Sequence, residues 1–306
     1  MGWRLYLSNQ AVQRLDILPG KPALLAVWMA RGRIYFFDQE TGVPMGEQTV
    51  KDPPAETRAD DRWQTFVAVL MAPNKAWLPR VRTALGELYI SNDGRLRLVH
   101  AAPAELYIEL EGKEIRLETG DASAFGVIAL DRLLGLVAAL DDTGRLHLFQ
   151  QHIALGVFDL DLKLADHIPA AVAVAQGGGA VFVSDGHQIV LTDSGGQVRK
   201  RLETHYTIGR MACSPNGRLL ATTDMETNVI RVYNGADLTP MYQRHAVDLL
   251  AQARQVQLIA DVPPAMVALN GLAVGNKGAL AFALGGVICT SATSEMDALP
   301  RAQKLL

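Results

Sequence analysis

The sequence predicts an all-β chain: a β-propeller of six four-stranded blades, with one inserted amphipathic helix near residues 240–259. Three observations predict it. A strand–turn–strand unit recurs six times, further strand candidates flank those units, and the units follow one another at roughly 40–60 residues, the length of a four-stranded blade.

The six units run from Ala23 to Asp38, Gly86 to His100, Leu134 to Gln150, Gly179 to Asp193, Gly217 to Asn234 and, more weakly, Gly278 to Ser291. Each joins two β-prone runs through residues that tolerate turn geometry, which is a hairpin signal. The second strand alternates in the clearest cases: Arg95-Leu96-Arg97-Leu98 and Arg145-Leu146-His147-Leu148 put leucines on one face and polar groups on the other. The first strand is more evenly apolar, as in Leu136 to Leu140, which is how a strand covered on both faces reads. Val127 to Leu130, Val172 to Ala175 and Arg210 to Cys213 supply a strand before a hairpin. Val43 to Val50, Ala154 to Leu160 and Val198 to Glu203 supply one after it. The unit is therefore four strands. The spacing closes a single domain of six blades over residues 1–306, with Trp3 to Ser8 pairing into the last blade so that neither chain end leaves an open edge. The extra strands Phe66 to Leu70 and Leu106 to Leu117 keep a seventh blade open as the alternative.

At the fifth unit the residues carry a family resemblance. Met211 to Gly235, MACSPNGRLLATTDMETNVIRVYNG, resembles a WD-repeat unit of bacterial type. Ser214-Pro215-Asn216-Gly217 stands at the family's turn and Tyr233-Asn234 at its closing Trp-Asp pair; Phe37-Asp38 and Thr192-Asp193 fall at the same place in other units. The family's Gly-His pair is missing and no unit carries Trp-Asp, so the chain is similar to a divergent WD-like propeller.

Composition narrows the function. The chain has 306 residues, 49% hydrophobic and 20% charged, enough for a large core and too apolar for disorder. A net charge of −3 with no long Lys or Arg run argues against nucleic acid as a partner. The two cysteines, Cys213 and Cys289, are too few for a secreted disulfide framework and read as small buried residues in a cytoplasmic protein. Met1 to Leu18 carries Arg4, Arg14 and Asp16 and is not a secretory signal. The longest apolar run is well short of the ~20 residues of a membrane span.

Catalytic signals are absent from the pattern. None of the seven histidines (His100, His147, His152, His167, His187, His205 and His245) forms a pair at metal-ligand spacing, and His147 with His152 reads as a surface pair. Gly177-Gly178-Gly179 precedes a strand and reads as a turn, and no Gly-x-Ser-x-Gly elbow occurs. Asp141-Asp142 and Asp93 lie in hairpin turns, where carboxylates bond to nearby backbone N–H groups. No cofactor, metal or catalytic residue is assigned.

Two insertions stand out. Lys51 to Arg62, with Pro53-Pro54, reads as a solvated loop. The stretch 239–260 reads as a helix: Thr239-Pro240 supplies an N-cap and first-turn proline, and Tyr242, Ala246, Leu249, Leu250 and Ala253 recur at spacings of three and four to make one apolar stripe. That stripe either packs on its own ring or holds a partner, so these five are the candidate partner-binding residues. The expected function is a protein–protein interaction platform or scaffold subunit. The alternative is a propeller hydrolase or lyase with its site in the central channel, marked by three or more inward carboxylates, Asn or His.

Overall fold

The computed structural model describes residues 4–6, 12–18, 24–29, 33–39, 43–49, 88–90, 96–110, 113–122, 124–131, 133–165, 168–246, 269–276, 278–284 and 287–290. They form strands grouped into six antiparallel four-stranded sheets, a propeller-like arrangement in which chain order is sheet order. The chain opens with β1 (Arg4–Tyr6), which joins the last sheet. The next sheet is β2 (Val12–Leu18), β3 (Leu24–Met29), β4 (Arg33–Asp38) and β5 (Pro44–Thr49). It is followed by β6 (Leu88–Ile90), β7 (Leu96–Ala102), β8 (Glu105–Leu110) and β9 (Lys113–Arg116). The third set is β10 (Phe125–Leu130), β11 (Leu136–Asp141), β12 (Arg145–Gln150) and β13 (Ile153–Asp159). The fourth is β14 (Ala171–Val174), β15 (Val181–Ser184), β16 (Gln188–Thr192) and β17 (Val198–Glu203). The fifth is β18 (Ile208–Cys213), β19 (Leu219–Asp224), β20 (Val229–Asn234) and β21 (Pro240–His245). The last is β22 (Leu269–Val274), β23 (Leu280–Leu284), β24 (Val287–Thr290) and β1, with Arg4 opposite Cys289 and Tyr6 opposite Val287.

The chain divides into two compact units. In the unit of residues 46–204, neighbouring sheets pack face to face through two cores. Leu98, Ile108, Phe125, Val137, Ala139 and Phe149 fill the one between the β6–β9 and β10–β13 sheets. Leu136, Ala138, Leu140, Leu148, Val174 and Val183 fill the one between the β10–β13 and β14–β17 sheets. Every residue of β11 is buried because alternate side chains enter different cores. In the unit of residues 1–45 and 205–306, Ala221, Ile230, Val232, Leu272 and Phe282 join the β18–β21 and β22–β24 sheets. Leu15, Leu25, Val27 and Phe37 lie against Ala273, Ala281 and Ala283, large side chains facing small ones.

Two expectations are corrected. The helix does not start at Thr239: Pro240–His245 is strand β21, the outer strand of its sheet. Instead of capping a helix, the Thr239 hydroxyl donates to Asp237 Oδ1 at 2.7 Å, closing the β20–β21 turn. Pro240 is tolerated because an outer strand has one unpaired side. Residues 247–260, with Leu249, Leu250 and Ala253, lie outside the described residues. In the second sheet, the hairpin from Gly86 to His100 is the first strand pair, not the middle one, and Leu106 to Leu117 contributes β8 and β9 to that sheet. Phe66 to Leu70 and Lys51 to Arg62 are also outside the described residues.

Candidate functional site

The middle hairpin of three successive sheets carries an aspartate at its turn: Asp141, Asp185 and Asp224, all buried. Asp141 ends β11. Its Oδ1 accepts from the Thr143 amide at 3.0 Å, the Thr143 hydroxyl at 2.7 Å and the Arg145 amide at 2.9 Å. Its Oδ2 accepts from Arg145 Nε and lies 2.9 Å from His147 Nε2. Burial pushes the carboxyl upward, yet the bonds from His147, Thr143 and Arg145 outweigh it and hold the pKa at about 2. The carboxylate is therefore ionised and only accepts, so His147 Nε2 carries the hydrogen. Nδ1 of the same ring is buried without a partner, and the ring meets Phe125 edge-on with centroids 5.1 Å apart. His147 is thus a core residue, not half of a surface pair with His152.

An Asp–His pair invites a reading as acid–base machinery, and burial argues against it. The His147 side chain is 1% exposed and that of Asp141 0%, so no substrate reaches the proton between them. Only Arg145 leads outward, to Asp121 at 3.0 Å. The arrangement is a staple for the β11–β12 turn.

The same position works similarly in the next sheets. Asp185 accepts from the His187 and Gln188 amides, from Gln188 Nε2 and, at 3.1 Å, from the Lys163 amide in the segment between β13 and β14. Asp224 accepts from the Glu226 and Thr227 amides and from Arg231 Nη1 at 3.2 Å. Burial opposes ionisation of both, and the donors win, so both pKa values are lowered. Arg231 lies over the Tyr206 ring, 3.8 Å from its centroid. The Tyr206 hydroxyl bonds with Thr222 Oγ1 at 2.7 Å and with the Tyr233 hydroxyl at 2.6 Å. Burial raises the pKa of both phenols, keeping them protonated. Tyr233 stands where the WD-like pattern has tryptophan, and the chain Thr222–Tyr206–Tyr233, backed by Arg231 and Asp224, forms a polar network in this sheet.

Turns between first and second strands are stitched to neighbours within each unit. Asp131, fully buried, accepts from the Leu133 and Leu134 amides and from the Gly177 amide of the following sheet at 2.8 Å. Asn276 Oδ1 accepts from the Asn216 amide of the preceding sheet at 2.7 Å. Gly177 and Gly178 have φ of 98° and 67°, which explains the triple glycine as a turn.

Of the candidate partner-binding residues, Tyr242 and Ala246 turn inward. Ala246 is fully buried in the core between the β18–β21 and β22–β24 sheets and Tyr242 packs against it. The Tyr242 hydroxyl is buried without a partner, and burial pushes its pKa up to about 12. Among the described residues no three His, Cys, Asp or Glu side chains gather as a metal site, and no helix is long and apolar enough to cross a membrane. Cys213, the last residue of β18, is half-buried.

No family model and no curated protein matches the chain. Among solved structures it is similar to a chain of the "Crystal Structure of Mitotic Checkpoint Complex", at 12% identity and a TM-score of 0.48, over 87% of this chain and 70% of that one.

Proposed function

We propose that the six sheets form a closed six-bladed ring, completed by the pairing of β1 with β24, and that this ring is a platform for protein partners in a reducing, cytoplasmic setting. One observation carries the reading. The buried aspartates Asp131, Asp141, Asp185 and Asp224 are committed to holding turns, whereas exposed apolar side chains collect in one place. Among the described residues, five of the ten exposed large hydrophobics belong to a single sheet: Leu133, Leu134, Ile153, Leu155 and Val157. Scattered exposed leucines are ordinary; a gathering on one-sixth of the sheets marks a contact surface.

A hydrolase or lyase site in a central channel needs several polar ligands on the first strands. Among the described residues, those six strands carry Asp16 and Asn270 and no other carboxylate, Asn or His. The test is purification of the tagged full chain from its native host, with mass spectrometry and reconstitution from purified components. The expected result is a partner held at near-equal stoichiometry. Recovery of the chain alone would overturn the platform reading.

A further inference from the structure

An outer strand presents a row of unpaired N–H and C=O groups, and natural sheets blunt such edges with charge or proline. All six outer strands do so here, with Arg4 in β1, Pro44 in β5, Lys113 in β9, Asp159 in β13, Lys200 in β17 and Pro240 in β21. β13 differs in where its charge sits: Asp159 is its last residue, and Ile153 to Phe158 is the longest run without charge or proline in the six outer strands. Ile153, Leu155 and Val157 are 60%, 43% and 50% exposed. The apolar surface continues onto the turn before β11, where Leu133 and Leu134 are 61% and 49% exposed. The two parts join, because Gln150 pairs across the sheet with Ile153 and donates its side-chain amide to the Leu134 carbonyl.

We propose that β13 is a docking edge for a short, uncharged, extended segment of a partner protein, which adds to the sheet as a fifth strand. The proposal rests on the platform reading and specifies its site. Size decides the occupant. A strand of this length spans roughly 23 Å at ~3.3 Å per residue and offers an edge about 5 Å deep. That footprint, on the order of 100–200 Å², is well below the ~800 Å² per partner of a stable folded interface, so it fits a linear segment better than a second copy of the chain. Charge decides the composition. A charged side chain laid along Ile153–Phe158 would lose water and meet no counter-charge. A bulge leaves Leu155 unpaired, with Ala154 opposite Phe149 and Gly156 opposite Leu148, so Gly156–Asp159 is the regular run that a new strand extends. β17 and β21 have the same irregularity. What distinguishes β13 is the uncharged run Ile153–Phe158 ahead of Asp159.

The probe is a fluorescent, terminally blocked Thr-Val-Thr-Val-Thr-Val peptide titrated into the full chain, beside the same peptide N-methylated at every residue. The unmodified peptide is expected to bind and the methylated one to fail, since strand addition needs main-chain donors. The exposed double variant Leu155→Lys/Val157→Lys is expected to keep its melting temperature and bind at least about tenfold more weakly, from two lost cross-strand pairs and a desolvated charge. Equal binding of the methylated peptide, or equal binding by the double variant, would overturn the proposal. So would no binding of the unmodified peptide, a result that leaves the platform reading standing on the co-purification. A dimer in light scattering that the lysines dissolve would assign the edge to a second copy and overturn the choice of occupant.

Discussion

Asp141→Asn replaces the central acceptor of the β11–β12 turn with a neutral group of nearly the same shape. The side chain is fully buried and serves Thr143, Arg145 and His147. Lowering its pKa from 3.8 to about 2 in the folded chain corresponds to about 2.5 kcal/mol of stability carried by the ionised form. Because the folded value is the depressed one, that stability is fully present above the unfolded value of 3.8 and is lost as pH falls through it towards 2. About 1 kcal/mol should be gone by pH 3. At pH 7 the variant is expected to be less stable by about 3 kcal/mol, since the amide also turns a donor towards Arg145 Nε. At pH 3 the gap between the two proteins should narrow by about 1 kcal/mol. Urea unfolding followed by tryptophan fluorescence at both pH values measures this. Taking the difference between the proteins cancels the other lowered carboxylates, Asp185, Asp193 and Asp224. A gap that is the same at pH 7 and pH 3 would refute the assignment of a pH-dependent anchor to Asp141.

Four further outcomes are expected. Tyr233→Phe removes the hydroxyl that bridges to Tyr206 but leaves Tyr206 bonded to Thr222; a loss of about 1 kcal/mol should appear in thermal unfolding. Gly196→Ala places a methyl group against the Phe158 ring at a residue with φ of 77°; a loss of about 1–3 kcal/mol is expected by the same assay. Deleting residues 1–9 removes β1 and exposes the edge of β24; a lower melting temperature and a greater tendency to aggregate in light scattering should follow. Leu250→Asp should lower the melting temperature, on the proposal that the spacing Ala246, Leu249, Leu250, Ala253 continues the contact Ala246 makes with its core; an unchanged melting temperature would count against that continuation.

The strands were legible where burial imposes a pattern. β11 reads as an unbroken apolar run because both faces are covered; β12 is also buried from Leu146 to Phe149, and its alternation comes from Arg145 and His147, which serve Asp141. The turn role of Asp141 was legible too, because its backbone donors are two and four residues away. β21 was misread for a physical reason. An outer strand buries little, and only Tyr242 of its six residues is even half-buried, so no alternation marks it. Tyr242 and Ala246 meanwhile stand four apart, as on a helix. The second sheet was misphased because a hairpin of first and second strands looks like one of second and third. The long-range pairs left no local trace: Tyr206 and Tyr233 are separated by 27 residues, Asp131 and Gly177 by 46. The histidine of the Asp141 staple reads in the sequence as part of a polar outer face, because alternation between Leu146 and Leu148 does not separate a buried imidazole from an exposed one.

The alternate commitment of β11, with Leu136, Ala138 and Leu140 on one side and Val137 and Ala139 on the other, makes the strand a shared wall. It cannot leave without opening two cores at once, so its loss costs both interfaces together. Its amides should therefore exchange with solvent only when the three sheets of residues 46–204 come apart as one event. A destabilising change in the sheet on either side would then shorten that protection by the same factor, so the exchange rate of one central strand reports on the integrity of its neighbours.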